Sequence, residues 1–301
     1  MQRRSGLVTL LTDFGLRDPF VGILHGVIAS RGPGLRVIDL THQVPPQAIG
    51  CGAFYLRHAF SWFPQGTVHV AVVDPGVGSQ RHAVVVQALG HLFVAPDNGL
   101  LGDVLKLAAD QGARVASYRV DTADPALNLT LSSATFHGRD VFAPVGAALA
   151  LGLRASQVGP ELASPLPSPN STEKRVQGGF EAQVVVVDHF GNCITNLYVQ
   201  ELCPEALQRP EGYVARVEQL CLPLVRTYSD VADGQLCALV NSFGALEIAA
   251  RNGSAVRQLN ESMRARRELT RDIEPPLPSP QGVEGALGFA LGSRVQLLKR
   301  G

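Results

Sequence analysis

The sequence predicts an α/β fold in two parts. An N-terminal α/β domain with a largely parallel sheet is followed by a small β domain, a barrel or a sandwich. Three observations carry this. The first half alternates short β-branched runs with helical patterns of about 10–15 residues, the signature of strand–helix–strand units. The stretch SPLPSPNSTEKRVQGG (164–179) is rich in Pro, Ser and Gly without periodicity and reads as a linker. Beyond it, short strand-like runs recur with few helical patterns between them. The expected division is therefore 1–163, a linker over 164–179, and 180–301.

In chain order, LVTLLT (7–12), LRVIDL (35–40), TVHVAVVD (67–74), HAVVVQA (82–88) and HLFVAPD (91–97) are strand-like. FVGILHGVIASR (20–31), AIGCGAFYLRHAF (48–60) and LLGDVLKLAADQG (100–112) fit helices, and DVFAPVGAALALG (140–152) closes this half as another. VVDPGVGSQRHAVVV (72–86) reads as two buried strands closing on a tight turn that holds Asp74 and Arg81. In the second half EAQVVVVD, GYVARVEQL, QLCALVN and SRVQLLK read as strands, RQLNESMRARREL (257–269) as a helix, and DIEPPLPSPQGVEG (272–285) as a loop.

Bulk properties narrow the function. Of 301 residues, 46% are hydrophobic and 17% charged, ample for sizeable cores. Lys plus Arg and Asp plus Glu are each 26, so there is no electrostatic footprint for nucleic acid or anionic membrane. A small neutral or zwitterionic ligand is the expected partner. Cys51, Cys193, Cys203, Cys221 and Cys237 are scattered without a CxxC pair, which argues against a disulfide framework or structural zinc. The apolar run Leu7–Leu11 is short for a signal peptide, and no stretch approaches the roughly 18 apolar residues of a membrane helix. A cytoplasmic location is expected.

Ligand sites in open α/β sheets lie beyond the carboxyl ends of strands. Thr12-Asp13-Phe14-Gly15, Asp74-Pro75-Gly76 and Asp97-Asn98-Gly99 all follow predicted strands, while Phe136-His137-Gly138-Arg139-Asp140 precedes a helix. Each alone is an ordinary turn or cap sequence; their concentration at strand ends points to a site. A surface ion pair of Asp74 with Arg81 would add only about 0–1 kcal/mol, so a turn does not need it for stability. His137 reads equally as a helix cap or as a proton carrier beside a carboxylate. The remaining histidines show no HxH or HExxH spacing, and GxGxxG, Walker A and GxSxG motifs are absent.

Seven stretches in order resemble one family. They are TDFGLRDPFVG (12–22), VIDLTHQVPPQ (37–47), VVDPGVGSQR (72–81), APDNGLL (95–101), ATFHGRDVFAPVGA (134–147), VDHFGNCITN (187–196) and NSFGALEIA (241–249). The family is the S-adenosyl-L-methionine hydrolases, or hydroxide adenosyltransferases, related to the halogenating enzymes that make 5′-halo-5′-deoxyadenosine. The resemblance implies a Rossmann-like N-terminal α/β domain and a C-terminal β-barrel. It also implies a homotrimer whose active sites lie between one subunit's N-terminal and its neighbour's C-terminal domain. It maps the hydrolase set onto Asp74, Arg81 and His137. Asp13 then takes the ribose hydroxyls, Asp188 the methionine ammonium, Asn192 the adenine, Ser242 the methionine carboxylate, and Asn252 belongs to the adenine-side loop. No metal or cofactor is implied, since S-adenosyl-L-methionine is the substrate. His25 departs from the pattern, where lysine is expected, and should be peripheral.

The implied reaction is attack of water or hydroxide on ribose C5′, expelling neutral methionine and leaving adenosine. Arg81 would lower the pKa of a water, Asp74 would fix Arg81 or the water, and His137 would take the proton directly or through a relay. Three other readings compete. A halogenase is disfavoured because Asp74 repels a halide and Gly138 offers no hydroxyl to hold one. A non-catalytic S-adenosylmethionine or adenosine sensor would not need Arg81 and His137 together. A metal-dependent phosphoesterase is suggested only by the acidic strand ends.

Overall fold

The computed structural model describes residues 5–170, 173–270 and 289–300. The expected loop at 272–285 lies outside them. The chain divides into two compact units, 1–169 and 170–301.

In the first unit, β1 (Leu7–Thr12), β2 (Arg36–Thr41), β3 (Val68–Val72), β4 (Ala83–Ala88), β5 (His91–Pro96) and β6 (Ala116–Arg119) form one sheet in the order β2-β1-β3-β5-β4-β6. β2, β1, β3 and β5 run parallel, while β4 is antiparallel to both β5 and β6. α1 (Phe20–Arg31) buries Val21, Leu24 and Ile28, one stripe at helical spacing. α2 (Ile49–Ala59) and α3 (Gly102–Asp110) pack on each other, as do α1 and α4 (Ala143–Leu151). α4 is apolar all round and nearly all buried, so it serves as a core helix. Its Gly146 lies so close to β3 that a Cβ would come within 2.4 Å of Val70. β1, β3 and β5 are buried along their whole length, as strands covered on both faces must be.

One expectation needs correction. β3 and β4 are not a hairpin: β5 lies between them, and residues 73–82 cross over its end. The hairpin joins β4 to β5, where Ala88 pairs with His91 across Leu89 (φ 53°) and Gly90 (φ 81°). Two consecutive positive φ values make the tight turn whose twist matches paired strands. The Asp74–Arg81 segment is thus a loop over the carboxyl end of the sheet, free to be shaped by a site.

The second unit is an antiparallel sheet of eight strands: β7 (Lys174–Val176), β8 (Gly179–Val187), β9 (Cys193–Tyr198), β10 (Tyr213–Val217), β11 (Leu220–Pro223), β12 (Leu236–Val240), β13 (Ala245–Ala250) and β14 (Arg294–Lys299). The order is β11-β10-β14-β8-β9-β13-β12, with β7 added on β8. The end strands approach each other through a parallel bridge of Leu224 with Ala238, which nearly closes a barrel. β7 forms inside the segment whose composition reads as linker. The short α5 (Val199–Leu202) and α6 (Pro204–Gln208) follow β9, and α7 (Ala255–Thr270) covers the helix expected at 257–269. Among the described residues no helix is long and apolar enough to cross a membrane.

Candidate active site

The site of the first unit follows from its strand order. β1 leads through α1 to β2 on one side, while β2 returns through α2 to β3 on the other. Connections from the middle of the sheet therefore depart in opposite directions, opening a crevice at the carboxyl ends of β1 and β3. Asp13 directly follows β1, Asp74 follows β3 by one residue beyond Val73, and Asp97 follows β5. Asn98 Nδ2 donates to the Val73 carbonyl at 2.8 Å, tying the ends of β5 and β3 together.

Arg81 is the hub. Its Nε donates to Asp74 Oδ1 at 3.1 Å and one Nη2 hydrogen to Asp74 Oδ2, a two-pronged pair. Nη2 also donates to His137 Nδ1 at 2.8 Å. The Asp74 and Arg81 side chains are only 5% and 11% exposed, so this is no solvated surface pair. The guanidinium stacks over Phe142, 5.2 Å from the ring centre. Arginine has no acceptor, so His137 Nδ1 must present a lone pair, and neutral His137 carries its proton on Nε2. Burial first, and Arg81 second, push the His137 pKa below its ordinary value, partly offset by Asp74 and Asp140. Nη1 keeps both N–H groups without a partner among the described residues.

Local structure holds this hub in place. Gly78 sits at φ 81°, where a Cβ would lie 2.9 Å from the Ala134 carbonyl oxygen, so the Asp74–Arg81 loop can lie directly on the segment leading to His137. His137 precedes a π turn, Gly138–Phe142, continuous with α4; such turns recur at functional sites. Asp140, 4% exposed, accepts from the Ser132 and Ser133 N–H groups at 2.8 and 2.9 Å and from Arg139 Nε at 2.6 Å. The Arg139 hydrogen bonds hold its carboxyl low, helped by those of Ser133 and Ser132 against the opposing effect of burial. Sequence reasoning gave Asp140 no role. Its signal is a second carboxylate three residues after a candidate histidine, in the first turn of a helix.

Asp13 is not bonded into this hub. Its Oδ2 accepts from Gln47 N–H at 2.8 Å, and its loop is pinned by Gly15 N–H to the His42 carbonyl (2.7 Å) and by Thr12 Oγ1 to His42 Nδ1 (2.8 Å). Phe14, Phe20 and Phe136 meet edge to face at 5.3–6.2 Å, an aromatic wall between the neighbourhoods of Asp13 and His137 that sequence reasoning did not anticipate. His25 is peripheral: its Nε2 pairs with Asp39 at 2.8 Å on the exposed side of α1 and β2.

In the second unit, Asp188 and Asn192 share the β8–β9 hairpin. Asp188 accepts from the N–H groups of Phe190 and Asn192 at 2.9 and 2.8 Å and from Asn192 Nδ2 at 3.1 Å. The first turn of α7, directly after the turn that follows β13, touches this hairpin through Val256 N–H to the Gly191 carbonyl at 3.0 Å. Asn252 stands in the turn between β13 and α7 with φ 50° and donates to Asp233 at 3.1 Å. Ser242 lies elsewhere, at the tip of the β12–β13 turn. Among the described residues no group of three or more His, Cys, Asp or Glu side chains is arranged to hold a metal ion.

An α/β unit that gathers a carboxylate, a guanidinium and an imidazole at its switch point, on a chain with a second barrel-like unit, has the organisation of a two-domain enzyme. Residues 8–159 match the SAM hydroxide adenosyltransferase N-terminal domain, and residues 182–267 match the C-terminal domain of that family. The chain belongs to the SAM hydroxide adenosyltransferase family. It is similar to proteins named (R)-S-adenosyl-L-methionine hydrolase from Salinispora tropica (42% identical, covering 82% of this chain and 91% of the relative) and Thermus thermophilus (40%, covering 82% and 93%). A fluorinase from an Actinoplanes species is less similar, at 27% identity over 81% of this chain and 90% of the relative. Among solved structures, an uncharacterized conserved protein from Thermotoga maritima superposes with a TM-score of 0.77 at 29% identity, over 96% of this chain and 99% of that one.

Proposed function

We propose that the protein hydrolyses S-adenosyl-L-methionine to adenosine and L-methionine. The observation that carries the reading is the Asp74–Arg81–His137 hub, held within a family whose relatives at 40–42% identity are named for this hydrolysis. The oxygen of water forms a bond to ribose C5′ as the C5′–S bond breaks, and the bonding pair goes to sulfur. Methionine leaves as a neutral thioether and needs no acid. The difficulty lies in the nucleophile, since the pKa of bulk water is about 15.7.

The free Nη1 of Arg81 offers an N–H donor to a water or hydroxide oxygen, and its charge favours the deprotonated form. Asp74 aims the guanidinium. With its Nδ1 lone pair engaged by Arg81, the neutral His137 ring acts as a donor at Nε2 rather than as a free base. Asp74 faces the Nε–Nη2 edge of the guanidinium and retains a second lone pair on each oxygen, so the proton released from a water on Nη1 reaches it through a bridging solvent molecule. A hydroxide approaching a sulfonium loses charge towards the transition state, which a water-poor site rewards. Asp13 binds the ribose hydroxyls, Asp188 the methionine ammonium, Asn192 and the loop of Asn252 the adenine, and Ser242 the methionine carboxylate. A cytoplasmic homotrimer with sites completed by a neighbouring subunit, and no added cofactor, belongs to the same proposal; native mass measurement tests the assembly.

The test is incubation with the (R) and (S) sulfonium epimers in ¹⁸O-water without halide, followed by mass spectrometry. Adenosine labelled at the 5′ oxygen with unlabelled methionine is expected. Product formed only after chloride or fluoride is added, or binding without turnover, would overturn the hydrolase reading.

A further inference from the structure

Glu247 is a carboxylate buried in a β strand, 3% exposed, on a chain whose candidate site residues do not include it. It stands on β13, between β9 and β12 and paired with Ile194. Its neighbours Leu246 and Ile248 point into the barrel core, so Glu247 points to the opposite face, where Ala249 packs with Val225, Val231, Cys237 and Leu239. Two donors converge on it: Tyr228 Oη–H on Oε1 at 2.7 Å and Asn241 Nδ2–H on Oε2 at 3.1 Å. Only a carboxylate accepts from both without turning either donor around.

Asn241 organises the turn that carries Ser242. Its Oδ1 accepts from the N–H groups of Phe243 and Ala245 at 3.0 and 3.2 Å, its carbonyl accepts from Gly244 N–H at 2.9 Å, and its own N–H bonds the Ala245 carbonyl at 3.0 Å. Nδ2 is the remaining group of that side chain, and Glu247 anchors it. At the other end of the strand pair, Ile194 opposite Glu247 leads back through Cys193 into the hairpin that fixes Asp188. Glu247 therefore lies between the two loops that carry Ser242 and Asp188.

We infer that Glu247 is a positioning residue for the amino-acid head of the substrate, holding the Ser242 turn, through Asn241 and with Tyr228 as a brace, at a set separation from Asp188. The inference rests on the hydrolase reading, which assigns Asp188 and Ser242 to that head. Burial first, with the nearby Asp188 charge adding to it, pushes the Glu247 carboxyl up against the effect of its two hydrogen bonds. The residue is held for its acceptors rather than for a solvated charge.

The experiment compares wild type, Glu247→Ala, Glu247→Gln and Tyr228→Phe for kcat and KM with S-adenosyl-L-methionine and for the Kd of adenosine, which lacks the amino-acid head. Glu247→Ala is expected to raise KM about tenfold or more with kcat within about threefold and the adenosine Kd unchanged. Glu247→Gln, nearly isosteric but with a single acceptor oxygen, satisfies only one of the two donors and should raise KM severalfold, less than Glu247→Ala. Tyr228→Phe, on the exposed side, should raise KM severalfold and decides the matter if Glu247→Ala does not fold. Equal weakening of both ligands, or no selective change in Tyr228→Phe, overturns the inference. A folded wild type that neither binds nor converts S-adenosyl-L-methionine overturns the hydrolase reading itself, a different and separately visible result.

Discussion

Replacing Asp74 by Asn tests whether the charge pair is machinery or scaffold. The side chain keeps its shape, but one acceptor becomes an NH2 group facing the donors of Arg81. With the Asp74 and Arg81 side chains 5% and 11% exposed, the guanidinium is left largely desolvated without its counter-charge. Removing one partner of a buried pair costs about 3–5 kcal/mol; the lower end applies, because Arg81 keeps His137 and the Phe142 face. A loss of about 3 kcal/mol corresponds to a Tm roughly 6–12 °C lower for a unit of this size. Misaimed Nη1, together with loss of the carboxylate that takes the proton from water, should reduce kcat by at least about 10²–10³-fold, the scale set by losing one oxyanion-type donor or one general base. Asp74 also raises the His137 pKa, so its removal should move the acid limb of the residual activity to lower pH. Thermal unfolding and a kcat–pH profile read all three effects. A variant melting within about 2 °C of wild type, with kcat within about threefold, would refute the reasoning.

Two further perturbations probe the frame around the hub. His69 is fully buried with Nδ1 2.7 Å from Thr9 Oγ1 and Nε2 3.1 Å from His91, and burial, with His91 adding, pushes its pKa down to about 3. The unfolded chain, with a pKa near 6.5, takes the proton first, so stability is full above about pH 6.5 and drains as pH falls towards 3. Between pH 7 and 5 the loss from this group is about 2 kcal/mol. Urea unfolding of His69→Phe should show a pH slope shallower by that amount, and an unchanged slope would contradict the burial argument. Gly78→Ala places a Cβ 2.9 Å from the Ala134 oxygen at φ 81°, while Gly76→Ala meets nothing nearer than 3.4 Å. The first should cost about 1–3 kcal/mol and lower kcat, the second should leave both nearly unchanged; equal effects on turnover would show that the loop does not need to lie on residue 134.

The two-part fold and most of its elements were legible because their signals are local. β1 and α1 have the bounds that LVTLLT and FVGILHGVIASR announce, since strand and helix periods are written into consecutive residues. β13 is not legible in NSFGALEIAARNGSA because the stretch reads as polar turns at both ends and its buried Glu247 interrupts the apolar run. β6 and β11 are not legible because each spans only four residues. Candidate residues were readable as kinds: acids, amides and a histidine gathered where strands end.

Partnership was not readable. The sequence alone determines that Asp74 and Arg81 share a short polar loop and that FHGRD opens a helix. It makes the loop a hairpin, because two β-branched runs around a turn look alike whether or not a third strand will enter between them. Strand order is a property of the whole sheet, decided by which faces the helices must cover, and inserting β5 between β3 and β4 turned the presumed hairpin into a loop over the sheet's end. Only that tertiary arrangement brings Arg81 to His137, 56 residues away, and so decides that the imidazole meets the guanidinium with its Nδ1 lone pair. Chemistry at the level of residue type is local and survives in one dimension; which lone pair faces which proton is set by packing across the fold.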